Sequence, residues 1–234
     1  MHLVLVPGLW FGGSLWERVI PLLEEAGHVA RPLTLPGMDA PEADRSAVTL
    51  QDHVDAVVTA VDGVDPAAGP VVLVGHSVGG VLAYAAVDAR PERVARIVFV
   101  ASEPRGDGEA PADGLPEVDG EVPMPDWSAF DDAELRGLDG ALRAELRSSA
   151  VPAPLHVTRD PLRLRDDRRL DVPATLITCE YPSAMLQEMV AGGHPYTAEL
   201  ARLRDVTFLD LETSHWPQLT KPAELARAIL AAVG

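Results

Sequence analysis

At 234 residues, with 47% hydrophobic and 24% charged side chains, the chain carries enough apolar material for one compact α/β domain. Its 36 acids against 19 bases give a formal charge of -17, a field that repels nucleic-acid phosphates and anionic lipid headgroups, so neither is an expected partner. The single cysteine, Cys179, excludes an intramolecular disulfide, and the opening MHLVLVPGLW has neither a basic stretch nor a long apolar one, so a cytoplasmic, non-membrane protein is expected.

Short apolar runs bounded by Pro, Gly or Asp predict buried strands at Leu3 to Val6, Val29 to Leu35, Val71 to Val74, Val94 to Val100, Ala174 to Thr178 and Val206 to Leu211. The first runs into LVPGLWFGGSLW, a glycine-rich loop whose backbone NH groups can face the sheet rim. There is no G-x-G-x-x-G, so a dinucleotide site is not expected. After it, SLWERVIPLLEEAG predicts a helix with a capping box from Ser14 to Glu17 and a stop at Gly27. Thr49 to Val61 repeats that pattern, with Thr49 and Asp52 at its start and Val54, Val57, Val58 and Val61 at helical spacing. Val78 to Ala89 and Ala223 to Val233 are further amphipathic helices. Strands alternating with helices predict a mostly parallel, doubly wound sheet.

One segment breaks the alternation. Residues 104–172 are rich in Pro, Gly and acids, with one helical stretch over Asp131 to Ser149 whose leucines at 135, 138, 142 and 146 form a stripe. Its length suits an inserted cap over the sheet edge within a single 1–234 domain.

The chemistry concentrates in PVVLVGHSVGG. Gly75-His76-Ser77-Val78-Gly79 is a G-x-S-x-G between a predicted strand and a predicted helix, the context in which the pattern presents a serine on a sharp turn. The helix N-terminus there favours a developing oxyanion. A serine at its free pKa needs an adjacent base. His215, in ETSHWPQLTKP after the last strand, lies where an imidazole can reach Ser77. The histidines at 2, 28, 53, 76, 156 and 194 lack such placement, although His156 and His194 are left as candidate pocket residues. Trp10, Phe11, Trp127, Phe130 and Trp216 are the candidate apolar walls of a substrate pocket.

VPGLWFGGSLW, GHSVGG and SHWPQLTKP, in this order and at these separations, resemble the α/β-hydrolase superfamily, in particular its small plant-type esterase and hydroxynitrile lyase branch. The resemblance covers almost the whole chain and implies an α/β-hydrolase fold, with Ser77 as nucleophile, His215 as general base and acid, and the NH groups of Leu9 and Val78 as the oxyanion hole. It implies a serine hydrolase of small esters, thioesters or lactones, with no cofactor and no metal. A lyase or a ligand-binding protein on the same fold is the alternative. Pro7 stands where many relatives have histidine. Monomer and homodimer are both left open.

The triad acid is the departure from the pattern. The superfamily usually has an aspartate after the strand that here ends in TLITCEYPS, but Tyr181 and Pro182 occupy those columns. Two glutamates compete for the role: Glu180 in that segment, and Glu103 in VARIVFVASEPRG at the end of the strand after the nucleophile helix. Some branches carry a glutamate at the latter position, and Glu103 is preferred on that ground. Asp210, inside a strand, is set aside.

Overall fold

A computed structural model describes residues 1–234. Eight strands form, β1 (His2–Val6), β2 (Val29–Pro32), β3 (Val71–His76), β4 (Val94–Val100), β5 (Glu121–Val122), β6 (Ala153–Pro154), β7 (Ala174–Thr178) and β8 (Val206–Asp210). The helices are α1 (Ile20–Glu25), α2 (Leu50–Asp62), α3 (Val78–Ala89), α4 (Gly140–Ser149), α5 (Leu155–Arg159), α6 (Ser183–Ala191), α7 (Pro217–Thr220) and α8 (Pro222–Val233). No helix is long and apolar enough to cross a membrane.

Six strands make one sheet in the order β2-β1-β3-β4-β7-β8, every pairing parallel. Its inner strands β3 and β7 are buried at every residue, which is why they read as unbroken apolar runs. The edge strand β2 ends at Pro32, which lacks the NH an interior strand would need. Strand order reverses between β1 and β3, a switch point of the kind at whose carboxyl ends parallel sheets place their sites. Ser77 and the LVPGLW loop lie there, packed against each other.

Helix α2 has the predicted cap: Asp52 N donates to Thr49 Oγ1 at 3.2 Å and Thr49 N donates to Asp52 Oδ2 at 2.8 Å, a pairing worth about 1 kcal/mol. The capping box expected at Ser14 and Glu17 does not form. A 3₁₀ turn occupies Gly13–Trp16, and the α-helix starts only at Ile20, with Pro21 in its first turn. Gly27 ends this unit at φ +85°, as expected.

Between β4 and β7 the chain leaves the sheet, forms the antiparallel pair β5–β6, and adds α4 and α5. The helix predicted over Asp131 to Ser149 covers only its second half. Gly137 has φ +79°, outside the helical region, and Asp139 restarts the chain as N-cap by accepting from Leu142 N at 2.9 Å. Trp10 ties this segment to the sheet: its Nε1 donates to Val122 O at 3.0 Å, and its own carbonyl accepts from Val151 N at 2.8 Å. A buried ion cluster does the same on another side. There Arg169 reaches Asp88 on α3 at 3.3 Å and Glu199 at 2.9 Å, and Tyr84 donates to Glu199 at 2.7 Å.

Candidate active site

Ser77 sits between β3 and α3 with φ +52° and ψ -130°, a conformation that costs a non-glycine residue about 1–3 kcal/mol. Surrounding bonds hold it there. Ser77 N continues the ladder to Val100 O at 3.0 Å, and Ser77 O accepts from Gly80 N at 2.9 Å and from Ser102 Oγ at 2.6 Å. The flanking glycines are required by close approach: a Cβ on Gly75 would lie 2.4 Å from Gly79 O, and one on Gly79 would lie 2.3 Å from Pro7 O.

His215 reaches this serine from the far edge of the sheet. After β8 the chain keeps bonding to the end of β7, with Leu211 N donating to Thr178 O at 2.8 Å and Thr213 N to Cys179 O at 3.0 Å. The next residue of that segment, Glu180, thereby meets the histidine loop. His215 Nδ1 donates to Glu180 Oε1, and His215 Nε2 accepts from Ser77 Oγ at 3.0 Å. The loop is braced twice more: His215 N donates to Glu134 O at 2.9 Å, and buried His76 donates through Nε2 to His215 O at 2.6 Å. Burial, together with the neighbouring His215, lowers the His76 pKa to about 3, so His76 is a neutral prop.

Burial disfavours charge on both members of the pair, yet the pairing wins on each. For His215 the hydrogen bond to Glu180 and the charges of Glu180, Glu134 and Glu103 outweigh burial and raise its pKa above 6.5. For Glu180 burial pushes upward, but the bond and charge of His215 bring it below the ordinary carboxylate value.

The preference for Glu103 is corrected by this geometry. Glu103 makes no bond to His215; its carboxylate accepts from the hydroxyls of Tyr181, at Oε1, and Tyr196, at Oε2 and 2.8 Å. The sheet order explains the outcome, because β7 is the neighbour of β8 while β4 lies one strand further away. Burial raises the Glu103 pKa against the lowering effect of the two tyrosines. Asp210 is engaged by Thr178 Oγ1 at 2.8 Å and Ser183 N at 2.6 Å, a structural role. Cys179 is fully buried, with burial holding its thiol protonated.

A cavity of about 740 Å³ opens over Ser77 and His215, walled by Leu9, Trp10, Val78, Arg105, Phe130, Glu134 and the stretch Gly108 to Leu115. Val78 is the first residue of α3, where an NH has no helical acceptor, and Leu9 N is likewise without a protein acceptor, so two backbone donors stand free beside Ser77. Of the expected aromatic walls, Trp10 and Phe130 line this space. Phe11 does not: it lies on a separate groove with Leu15 and Leu146. Trp127 and Trp216 stand behind Phe130, at 5.8 and 5.3 Å between ring centroids, and Trp216 also stacks edge-on against His215 at 5.1 Å. They support the wall and the imidazole instead of facing a ligand. His156 and His194 are both exposed; His156 pairs with Asp160, while His194 accepts from Tyr196 N.

Arg105, Tyr196, Ser102 and the Gly108 to Leu115 stretch are site residues that sequence reasoning did not reach. Nothing local distinguishes them, since Ser102 and Arg105 directly follow β4, the Gly108 to Leu115 stretch belongs to the excursion after it, and Tyr196 comes from the connection between α6 and β8.

The pattern of the alpha/beta hydrolase family matches residues 3–228, and the chain belongs to that family. Among curated proteins it is 36% identical over 102 residues to Esterase PIR7B of Oryza sativa subsp. japonica, covering 43% of this chain and 38% of that protein. It is 37% identical over 101 residues to Methylesterase 7 of Arabidopsis thaliana, covering 42% and 38% respectively. The matched segment therefore spans less than half of either relative. In fold, an extracellular alpha/beta-hydrolase from a Paenibacillus species superposes with a TM-score of 0.78 at 21% identity, over 99% of this chain and 98% of that one. The Arabidopsis methylesterase MES16 gives 0.76 at 20% identity, over 100% and 98%.

Proposed function

We propose that this member of the alpha/beta hydrolase family hydrolyses a small carboxylic ester, thioester or lactone through an acyl-enzyme on Ser77. The observation that carries the reading is the unbroken relay from Ser77 Oγ through both nitrogens of His215 to Glu180, opening on a cavity with two free backbone donors. The esterase names of the sequence relatives support the same reaction class.

In this reading Ser77 Oγ attacks the carbonyl carbon while His215 Nε2 takes its proton. Glu180 holds the tautomer and balances the imidazolium. The amides of Leu9 and Val78 receive the charge that develops on the carbonyl oxygen. The imidazolium then protonates the departing alcohol, thiol or ring oxygen, and water repeats the steps to release the acid. A cyanide-releasing lyase has less support, because the sequence relatives carry esterase names.

Incubation with a fluorophosphonate is expected to add its mass at Ser77 and nowhere else, read by peptide mass spectrometry. A folded protein that never labels would sink the reading. The pH profile is a second check. The base must be neutral to act and its pKa is raised, so kcat/KM should climb with pH through a midpoint above 6.5. In Glu180→Gln the largest opponent of burial is gone, and the midpoint should move down. A midpoint unchanged between the two proteins would dissociate Glu180 from His215.

A further inference from the structure

We propose that Arg105 is the anchor for a carboxylate on the substrate, so that the esters preferred by this site are anionic. The inference deepens the hydrolase reading and relies on it for the reaction, but not for the binding.

Arg105 lines the cavity over Ser77 and also a smaller recess of about 160 Å³ that runs from Ser77 and Val78 to Glu103 and Tyr196. No other arginine or lysine stands on either wall. Its guanidinium is in no hydrogen bond or ion pair and has the Tyr196 ring as its partner, in a chain where 36 acids face 19 bases. Four acids share these walls, and none is within ion-pair distance of Arg105, although Glu103 feels its charge; Asp113 makes no side-chain bond, and the other three are held by other donors. Glu109 accepts from Gly106 N at 2.8 Å, Glu134 accepts from Asp131 N at 2.7 Å, and Glu103 is held by its two tyrosines.

The cation is also placed in advance. It lies 4.4 Å from the centroid of the Tyr196 ring, and that ring is pinned by its own hydroxyl bond to Glu103. A guanidinium held over an aromatic ring without hydrogen bonds of its own keeps its N–H donors for a ligand, and such a fork can meet a carboxylate with two bonds. The overall charge of -17 works against an anionic ester approaching the protein. A fixed, unpaired cation beside the nucleophile is the local feature such a substrate would need.

The carboxylate can belong to either half of the ester, and two substrate pairs separate the cases. For the acyl half, p-nitrophenyl valerate is compared with mono-p-nitrophenyl glutarate; for the alcohol half, phenyl acetate is compared with 3-acetoxybenzoate. One pair should show kcat/KM about 10- to 100-fold higher for the charged member, the worth of one charge-assisted bond. Arg105→Gln should collapse that ratio toward one, and Arg105→Lys should retain part of it. Equal rates within both pairs, or a ratio that survives Arg105→Gln, would overturn the assignment. Calorimetric binding of glutarate and 3-hydroxybenzoate to the Ser77→Ala protein, with and without Arg105→Gln, reads the anchor without turnover. If Arg105-dependent binding is seen but no ester of any kind is cleaved, the hydrolase reading fails and the anchor stands; if neutral esters are cleaved but neither anion binds, the anchor fails alone.

Discussion

Replacing Glu180 by glutamine is expected to lower kcat by about 10⁴-fold, while the same change at Glu103 should cost less than about tenfold. Both carboxylates are largely buried and both stand at the ends of adjacent strands, so charge and depth alone do not separate them. Bonding does. Glu180 takes the Nδ1 proton of His215, which leaves Nε2 as the acceptor for Ser77 Oγ at 3.0 Å. A glutamine at 180 can turn its amide toward Nδ1, favouring the tautomer with the proton on Nε2, where it can no longer take one from the serine. It also removes the charge that balances the imidazolium. Glutamine at 103 keeps an acceptor for one tyrosine and weakens the other bond, a loss of about 1–3 kcal/mol in stability with the relay intact. Steady-state kinetics on both variants, with thermal melts to confirm folding, settle the ranking; a larger loss for Glu103→Gln would reverse the assignment.

That ranking marks where the sequence stops being informative. Buried parallel strands need apolar side chains on both faces, so β3, β4 and β7 are legible as runs, and the turn glycines around Ser77 are legible because the chain crosses itself there. His215 is legible because few histidines follow a strand. The acid is different: Glu103 and Glu180 have the same local setting, and the choice is made by strand order and by two loop bonds from residues 211 and 213 to the end of β7. The cap suffers more. Its helix starts only after Gly137, a positive-φ residue within an otherwise periodic leucine pattern. Arg105 and Tyr196 meet through a contact across 91 positions, for which no neighbouring residue offers a sign. The Ser14 and Glu17 pair fails for a related reason, because the aromatic and glycine residues around it are drawn into a tight turn against β1 and β2 before any α-helix begins.

Gly79→Ala is expected to damage stability and catalysis together. The added methyl would lie 2.3 Å from Pro7 O and 2.5 Å from Val6 O, backbone atoms that cannot swing aside as a side chain could. Relief requires α3 and the end of β1 to separate, in a region where Val6 is fully buried. Overpacking of this kind costs about 1–3 kcal/mol or more, and in a chain of this length each kcal/mol lowers Tm by about 2–4 °C. The direction of the shift matters as much as its size. Pro7 leads into Gly8 and Leu9, and Gly79 follows Val78, so the clash pushes apart the two segments that carry the free amides beside Ser77. Loss of one such donor costs about 10²- to 10³-fold in kcat, so turnover should fall by at least that much even well below the melting transition. Gly140→Ala supplies the comparison: a Cβ there meets nothing within 4 Å, its φ is ordinary, and it opens α4, so Tm should stay or rise slightly and kcat should hold. If Gly79→Ala melts and turns over like Gly140→Ala, the two backbones are not in the contact that positions the oxyanion donors.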